Sequence, residues 1–449
     1  MSNRLTHSGL GTAEAPKLLQ KLEQQLSELD LDRVQFPVAI SVDAPQLDPW
    51  SWLSVNRTLT PVAWSDRDSG KLLVAVGIAA SVVAKPNQCF SETVALCREI
   101  LGADEQLRFF GGFSFDGTDA WPAFGAGKFV LPRLQFTEET LTLVVVSQSD
   151  VAQARLDLQR VCFEAEPLKA SFSLPKSRTD SPNIAGWQSK IDEALSLIRS
   201  EVIEKIVLSR QAKMMFSDPL NPVALANRLQ AATHDCFVFC FGFGDRDAFV
   251  GATPERLFLR QESQLLSEVV AGTRMRGKDA AEDERLAVEL LTSDKDQREH
   301  DIVRKSIRQR LHKFVNHLQV DTQASILRLA RKQHLRSGVQ GTLKATVDDG
   351  MLLKRLHPTP AVGGYPTENA LPEIARIEPF NRGWYAAPVG WIGANSAQFA
   401  VAIRSGLVQG NSLSLFSGAG IVRGSDPLEE WQEVENKIQD FVSVLNADL

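Results

Sequence analysis

Apolar positions follow a helical repeat in some segments of the chain and a strand pattern in others. Helical periodicity runs from Glu14 to about Leu31 and from about Trp187 to Ser200. The continuous apolar run Leu72–Ala84 predicts a single buried strand. Further strand patterns are LRFFGGFSFDG at Leu107–Gly117, KFVLPRLQF at Lys128–Phe136, TLTLVVVSQS from Thr140 and EKIVLSRQAKMMF from Glu204.

The second half of the chain combines short strands with longer helices. FVFCFGFGDRDAFVGATPERLFLR, from Phe237, predicts a hairpin, and two helical segments span about Asp279–Phe314. Near the C-terminus the strands GWIG, FAVAIRSGLV and SLSLFSGAGIV precede a final helix from Pro427 to about Asn446. Because neighbouring strands are joined by short turns, we expect an α+β fold with large antiparallel β-sheets flanked by helices.

A polar segment divides the chain. SLPKSRTDSPN at Ser173–Asn183 carries two prolines and is the best candidate for a linker. It separates an N-terminal part, residues 1–180, from a C-terminal part, residues 181–449. The sequence shows no internal repeat and no low-complexity tract, so this segment is the basis for any division into domains.

Composition narrows the class of protein. The 449 residues are 43% hydrophobic and 23% charged, as in ordinary soluble globular proteins. A net charge of −6 gives no electrostatic reason to expect nucleic acid or an anionic membrane as a partner. The first residues lack the apolar core of a signal peptide, and the run Leu72–Ala84 is too short to span a bilayer. We therefore expect a cytoplasmic protein.

The cysteines point to a reducing compartment. They are odd in number and form no CxxC pair, which argues against a disulfide framework and against structural zinc. No cluster of histidine and cysteine suggests a softer metal. The five cysteines are Cys89, Cys97, Cys162, Cys236 and Cys240.

The charged stretch TSDKDQREHDIVRKSI, from Thr292, precedes an apolar pattern. On a helix, Glu299 lies in line with Asp296 and with the apolar residues one turn further on, so it continues a stripe that should face the core. A carboxylate there is costly unless a cation or hydrogen-bond donors compensate it. The alternatives are a solvated helix face for the run and a capping box for Ser293-x-x-Asp296.

The last helix, DPLEEWQEVENKIQDFVSVL, raises the same question. Glu430, Glu433 and Lys437 form one line beside its apolar stripe, and Asp426 with Pro427 marks its N-terminus. A solvated flank with a weak Glu433–Lys437 pair is one interpretation. A magnesium site is the other, because Mg²⁺ takes a few protein carboxylates and completes its shell with water and an anionic substrate.

A glycine-rich segment, SGAGIVRGSDP, places Gly418, Gly420 and Gly424 between a strand and the last helix. It loosely resembles a dinucleotide-binding fingerprint, so an oxidoreductase is a rival hypothesis. The spacing is GxGxxxG rather than GxGxxG, and the chain ends before a second strand could complete a βαβ unit. Glycines before a helix also let backbone N–H groups approach a carboxylate.

Nine motifs occur in the order found in the chorismate-utilising enzymes. They are EKIVLSR, GATPERL, VVAGTRMRG, SDKDQREHDIV, HPTPAVGGYP, RGWYAAPVGW, FAVAIRSGL, SGAGIV and EWQEVENK. From about Trp187 to Leu449 the chain therefore resembles this family, which includes isochorismate, salicylate, anthranilate and aminodeoxychorismate synthases. FFGGFSFDG, Trp121 and FVLPRL resemble the menaquinone-type isochorismate synthases more loosely. The resemblance implies one α+β unit over the whole length, in which the candidate linker is only a loop.

The resemblance implies roles at the matching motif positions. Lys205 of EKIVLSR matches the general base and Glu255 of GATPERL the general acid. Four carboxylates match the metal site: Glu299 and Glu433 as Mg²⁺ ligands that hold the ring carboxylate of the substrate, and Asp296 and Glu430 as outer-shell groups. The matching substrate-binding residues are Tyr385, Arg404, Gly418, Ala419, Gly420 and Lys437 for the enolpyruvyl carboxylate, and Gly272, Thr273 and His334 beside the ring.

The chemistry of chorismate accounts for these residue types. Conversion to isochorismate adds water at C2 while the C4 hydroxyl leaves. Hydroxide is a poor leaving group, so Glu255 must hold its proton near neutral pH, which requires burial or a neighbouring negative charge. Water is a poor nucleophile, so Lys205 must act as a base in its neutral form, which desolvation or nearby cations favour. Mg²⁺ and Arg404 would neutralise two carboxylates and orient the ring.

Three positions separate the members of the family. Ammonia-using anthranilate enzymes usually carry glutamine in place of Lys205, so the lysine implies water as the nucleophile and no glutaminase subunit. Aminodeoxychorismate synthases carry a nucleophilic lysine in place of Ala271. HPTPAVGG, with Ala361, resembles the isochorismate synthases rather than the salicylate synthases, which go on to eliminate pyruvate. The resemblance thus implies a Mg²⁺-dependent isochorismate synthase, an isomerase (hydroxymutase), with salicylate synthase as the alternative.

The expected partner is the small molecule chorismate, and we expect a monomer. The N-terminal similarity favours menaquinone biosynthesis over siderophore biosynthesis as the destination of the product.

Overall fold

The computed structural model describes residues 14–44, 47–164, 167–168, 171–329 and 331–446. In these ranges the chain forms eleven α-helices and 22 β-strands. The helices are α1 (Glu14–Ser27), α2 (Pro49–Val55), α3 (Phe90–Leu101), α4 (Val151–Gln159), α5 (Ile184–Arg199), α6 (Pro222–Ala232), α7 (Ala280–Thr292), α8 (Asp294–Leu311), α9 (Asp349–Leu356), α10 (Thr367–Ile377) and α11 (Pro427–Asn446). The strands are β1 (Val38–Asp43), β2 (Val62–Ser65), β3 (Leu72–Val76), β4 (Ala80–Ala84), β5 (Phe109–Phe113), β6 (Gly127–Leu131), β7 (Leu134–Phe136), β8 (Thr140–Val145), β9 (Ser177–Ser181), β10 (Lys205–Met215), β11 (Phe237–Phe241), β12 (Asp247–Thr253), β13 (Arg256–Gln261), β14 (Gln264–Met275), β15 (Val315–Val320), β16 (Ser325–Arg328), β17 (Lys332–Leu343), β18 (Gly364–Tyr365), β19 (Pro388–Ile392), β20 (Ser396–Val401), β21 (Ser405–Gln409) and β22 (Ser412–Val422).

The strands form two antiparallel sheets, which confirms the predicted α+β class. The first sheet has 12 strands in the order β1-β8-β7-β3-β2-β11-β12-β21-β22-β10-β18, with β9 added beside β10. The second has 10 strands in the order β15-β17-β14-β13-β20-β19-β5-β6-β4, with β16 beside β17. Strands from both halves of the chain pair within each sheet, as β2 does with β11 and β5 with β19.

Two hydrophobic clusters form the core, and β11 contributes to both. Phe237, Phe239 and Phe241 pack into the cluster that lies between the two sheets. Val238 and Cys240 pack into the cluster between the first sheet and its helices. Because successive side chains of a strand point to opposite faces, a fully apolar strand predicts such burial on both sides.

Three segments predicted as single strands are each divided between the two sheets. The run Leu72–Ala84 forms β3 in the first sheet and β4 in the second, and Gly77 between them has φ of +74°. Glycine adopts this left-handed conformation without strain, so the chain can turn there. KFVLPRLQF likewise forms β6 and β7, and FAVAIRSGLV forms β20 and β21. The prediction of single strands was wrong because apolar alternation does not show which sheet a strand joins.

The candidate linker Ser173–Asn183 contains β9, which pairs with β10 from Ser177 to Ser181. Its polar composition is explained by the position of β9 at the border of the sheet, where its residues are half-buried or exposed. Helix α1 ends at Ser27 rather than at Leu31, and α11 has the predicted bounds. All five cysteines are free thiols. No helix in the described ranges is both long and apolar enough to cross a bilayer.

Candidate active site

Most of the predicted site residues meet in one cavity of about 370 Å³. Strands β10 and β22 of the first sheet, β14 and β17 of the second, and helices α8 and α11 all contribute to its walls. The predicted residues that line it are Glu255, Gly272, Thr273, Asp296, Glu299, His334, Tyr385, Arg404, Gly418, Gly420, Glu430, Glu433 and Lys437. Lys205 reaches the same place through its contact with Glu299.

Lys205 is the first residue of β10, and its side chain is buried. Its Nζ donates a hydrogen bond to Oε1 of Glu299, a distance of 2.8 Å. Gly420 of β22 lies beside this pair, and a Cβ at that position would lie 2.8 Å from Cε of Lys205 and 3.2 Å from Oε1 of Glu299. Glycine at position 420 therefore leaves the space that the ion pair occupies.

The first part of the glycine-rich segment is strand, and Gly424 lies in the turn between β22 and α11. Gly418 and Gly420 lie within β22, so the strand–loop–helix arrangement of a dinucleotide fingerprint is absent from this segment. A Cβ on Gly418 would lie 3.2 Å from the hydroxyl oxygen of Tyr385. Ala419 has its side chain in the hydrophobic core on the opposite face of the strand, so only its backbone can contribute to the cavity.

Glu255 lies at the junction of β12 and β13 and is buried. Burial raises the pKa of its carboxyl to about 8, and the negative charge of Glu268 acts in the same direction. Lys205 opposes this shift without cancelling it. Glu255 is therefore protonated at neutral pH, as a general acid must be.

Two acidic residues of α11, Glu430 and Glu433, differ in how far nearby cations neutralise their charge. Oε1 of Glu433 lies 2.6 Å from Nζ of Lys437, which confirms the predicted pair and lowers the pKa of Glu433 to about 2. Burial, with the charge of Glu433, raises the pKa of Glu430 to about 7. On α8, Asp296 faces Nη2 of Arg274 at 3.1 Å. Four carboxylates therefore gather where α8 and α11 approach each other, and each is paired with a basic side chain.

This donor set fits Mg²⁺. Asp296, Glu299, Glu430 and Glu433 line the same cavity, and a divalent cation would offset the charge that holds the proton on Glu430. No group of three or more His, Cys, Asp or Glu side chains in the described ranges forms a ready-made metal cage. Mg²⁺ does not need one, because it binds through one or two carboxylates with water and substrate oxygens.

Three other groups in the cavity wall can bind an anion. Arg404, whose φ is 52°, lies in the turn between β20 and β21, and its Nη1 is 3.2 Å from Oδ2 of Asp440. Burial raises the pKa of Tyr385 to about 12, so its phenol remains a neutral hydrogen-bond donor. Lys437 donates from Nζ to the carbonyl of Gly418 at 3.0 Å. This wall suits a carboxylate.

Gly272, Thr273 and His334 form a third wall. Gly272 has φ of +78° at a bulge in β14, and a Cβ there would lie 3.2 Å from Cβ of Asp296. Nδ1 of His334 lies 3.0 Å from Oγ1 of Thr273 and 3.2 Å from the carbonyl oxygen of Gly272. Burial lowers the pKa of His334 to about 3, so the imidazole is neutral. Because a carbonyl only accepts hydrogen bonds, Nδ1 carries the proton in this geometry.

Arg382 also lines the cavity, although the sequence analysis did not single it out. It is buried, forms an ion pair with Glu378, and donates to the carbonyl oxygens of Val207 and Val362, each at 2.8 Å. It thereby joins β10 to the segment that follows α9. Its position in the RGWYAAPVGW motif was the available sequence signal.

Comparisons with known proteins identify relatives of this chain. The family model described as chorismate binding enzyme matches residues 24–446. The chain is 34% identical to isochorismate synthase 2, chloroplastic, of Arabidopsis thaliana, over 93% of this chain and 81% of that protein. It is 32% identical to isochorismate synthase MenF of Escherichia coli, over 97% of this chain and 99% of that protein. The solved structure of the Escherichia coli menaquinone-specific isochorismate synthase superposes with a TM-score of 0.85 at 31% identity and covers 95% of this chain and 99% of its own.

Proposed function

The chain belongs to the chorismate-binding enzyme family, and on this premise we propose that it is an isochorismate synthase, an isomerase that converts chorismate to isochorismate. The observation that carries the proposal is the placement of a protonated carboxyl, Glu255, and a buried amine, Lys205, at a single cavity. An acid and a base at one site suit the loss of a hydroxyl together with the addition of water.

The reaction requires two proton transfers, one from the water that adds at C2 and one to the hydroxyl that leaves C4. In its neutral form, Lys205 removes a proton from the water that attacks C2 of chorismate, so the ammonium that pairs with Glu299 must first give up its proton. Glu255 gives its proton to the C4 hydroxyl, which leaves as water. Because the reaction is reversible, the same two groups exchange these roles in the opposite direction.

The remaining residues hold the substrate. Arg404, Tyr385 and Lys437 bind the enolpyruvyl carboxylate. Gly272, Thr273 and His334 contact the ring, and the small glycine lets the substrate approach β14 closely. Together these contacts keep the ring between acid and base, and such orientation lowers the barrier to reaction.

We propose Glu299 and Glu433 as the Mg²⁺ ligands, with Asp296 and Glu430 in the outer shell. The supporting observation is the accumulation of carboxylates between α8 and α11. When bound, Mg²⁺ supplies positive charge for the ring carboxylate of chorismate. The ion pair between Lys205 and Glu299 couples the base to this part of the site.

Identification of the product tests the function. Purified protein is incubated with chorismate and Mg²⁺ at neutral pH, and the products are separated by chromatography. We expect isochorismate. Salicylate with pyruvate as the main product would identify a salicylate synthase instead, and tight NAD binding without turnover of chorismate would reject both.

We further propose a monomer in the cytoplasm that needs no glutaminase subunit, and menaquinone biosynthesis as the destination of the product.

A further inference from the structure

One buried ion pair, Arg67–Glu268, holds the peptide groups on both sides of Glu255. Nη1 of Arg67 donates hydrogen bonds to the carbonyl oxygen of Pro254 and to Oε1 of Glu268. Nη2 of Arg67 donates to Oε2 of Glu268 at 3.1 Å. Oε1 of Glu268 also accepts from the backbone N–H of Arg256 at 2.9 Å. The residue before Glu255 and the residue after it are therefore attached to the same pair.

The pair lies behind the cavity rather than in it. The side chains of Arg67 and Glu268 are 3% and 1% exposed, and neither residue belongs to the cavity wall. Arg67 follows β2 in the first sheet, whereas Glu268 lies in β14 of the second. The pair thus joins the two sheets at the point where Glu255 enters the cavity, and its hydrogen bonds reach the backbone on both sides of Glu255.

We propose that Arg67 and Glu268 are positioning residues for Glu255, which hold the backbone that carries this carboxyl and place a fixed negative charge behind it. The inference rests on the proposed role of Glu255 as general acid. A nearby negative charge disfavours ionisation of a carboxyl, so Glu268 acts together with burial to raise the pKa of Glu255. Arg67 has the opposite effect, because it neutralises part of the charge of Glu268.

Substitutions of the charged residues near Glu255 should shift the pKa of its carboxyl in opposite directions, depending on which charge is removed. Lys205 of β10 and Glu268 of β14 are the charged groups that act on the carboxyl. The cations that pair with Glu268 are Arg67 and Arg336 of β17, whose Nε lies 3.1 Å from Oε2 of Glu268. Arg256 contributes its backbone N–H to Glu268, while its guanidinium pairs with Asp68. Removal of the negative charge should lower the pKa of Glu255. Removal of a cation that neutralises Glu268 should raise it.

The two tests are Glu268→Gln and Arg336→Gln. Infrared difference spectra recorded across a pH titration measure the C=O stretch of the protonated carboxyl. The band that is missing from the spectra of Glu255→Gln is assigned to Glu255. We expect Glu268→Gln to move the titration midpoint to lower pH by about one unit. We expect Arg336→Gln to move it to higher pH by a smaller amount, since this arginine is 40% exposed. The alkaline decline of kcat/KM should move in the same directions.

Loss of a buried ion-pair partner also destabilises a protein, so the experiment needs a matched control. Asp349→Asn breaks another buried pair, that of Asp349 with Arg260, and should leave the titration of Glu255 unchanged. If Glu268→Gln does not fold, Arg336→Gln still decides the question. The side chain of Arg336 is half-exposed, so its replacement should not prevent folding.

The inference is overturned if neither midpoint moves, or if both move in one direction, while Glu255→Gln is inactive. If Glu255→Gln retains full turnover, the proposed acid is wrong instead. The infrared titration is independent of turnover, so the two failures can be distinguished.

Discussion

Nζ of Lys205 lies 2.8 Å from Oε1 of Glu299, although 94 residues separate them in the sequence. The first residue of a strand and a residue on the second turn of a helix form this pair across the cavity. The contact connects the proposed base to a proposed metal ligand. A change at either residue is therefore expected to affect both catalysis and metal binding.

Replacement of Lys205, the proposed base, should abolish most of the turnover. We expect Lys205→Ala to lower kcat by about 10²- to 10⁴-fold, the usual contribution of a positioned base. Chromatographic measurement of isochorismate formation checks this. Lys213→Ala removes an exposed lysine from the same strand and should keep normal activity. Full activity of Lys205→Ala would show that another group activates water.

Glu255 should make the stability of the protein depend on pH. Its pKa is about 8 in the folded chain against an ordinary value of 4.5, so its contribution to stability is fully present below about pH 4.5 and is lost as the pH rises through about 8. Glu255→Gln has no proton to lose at this position, so its stability does not fall with pH for this reason. Urea unfolding at several pH values should therefore show the variant gaining stability relative to the wild type between about pH 5 and about pH 9. The control is the exposed Glu92→Gln, and equal pH profiles for Glu255→Gln and the wild type would contradict the expectation.

The proposed metal site predicts that two glutamates distant in the sequence act together. Glu299→Gln and Glu433→Gln should each weaken Mg²⁺ binding by at least about tenfold, because each removes a charged oxygen ligand. Isothermal titration of Mg²⁺ into the protein measures this without reference to turnover. Asp301→Asn, a more exposed carboxylate on the same helix as Glu299, should bind as the wild type does. EDTA should stop turnover, and excess Mg²⁺ should restore it.

The anion-binding wall predicts a defect in substrate affinity. Arg404→Met should raise the KM for chorismate by about 10- to 100-fold, the cost of a lost hydrogen bond to a charged group. Asp440→Asn should have a smaller effect in the same direction, because Asp440 orients Arg404 from 3.2 Å. Steady-state kinetics with the exposed control Arg33→Gln checks both. A fall in kcat with unchanged KM would assign Arg404 to the chemical step.

One prediction concerns stability alone. The side chain of Asn221 caps α6 by accepting hydrogen bonds from the backbone N–H groups of Val223 and Ala224. Asn221→Ala should lower the free energy of unfolding by about 1 kcal/mol. Turnover should stay unchanged, since Asn221 does not line the cavity. A loss of activity without a loss of stability would contradict this.

Local sequence patterns determined much of the secondary structure and the class of the fold. The capping signal Ser293-x-x-Asp296 correctly marked the start of α8, where the N–H of Asp296 donates to Oγ of Ser293. Such signals are reliable because a capping side chain and its backbone partner lie within one turn of helix. The ordered motifs, which place glutamates, a lysine and an arginine at fixed positions, likewise indicated the family.

Only the tertiary structure decided which strands join which sheet and which charges face each other. Gly77 and Arg404 each lie where the chain passes from one sheet to the other, and the period of a strand contains no information about its neighbours. The Arg67–Glu268 pair behind Glu255 was equally invisible, because its members lie 201 residues apart. The pKa of a buried carboxyl depends on the charges that folding brings near it. The sequence could therefore name Glu255 as a candidate acid, whereas the packing of two sheets explains why the pKa of its carboxyl is raised.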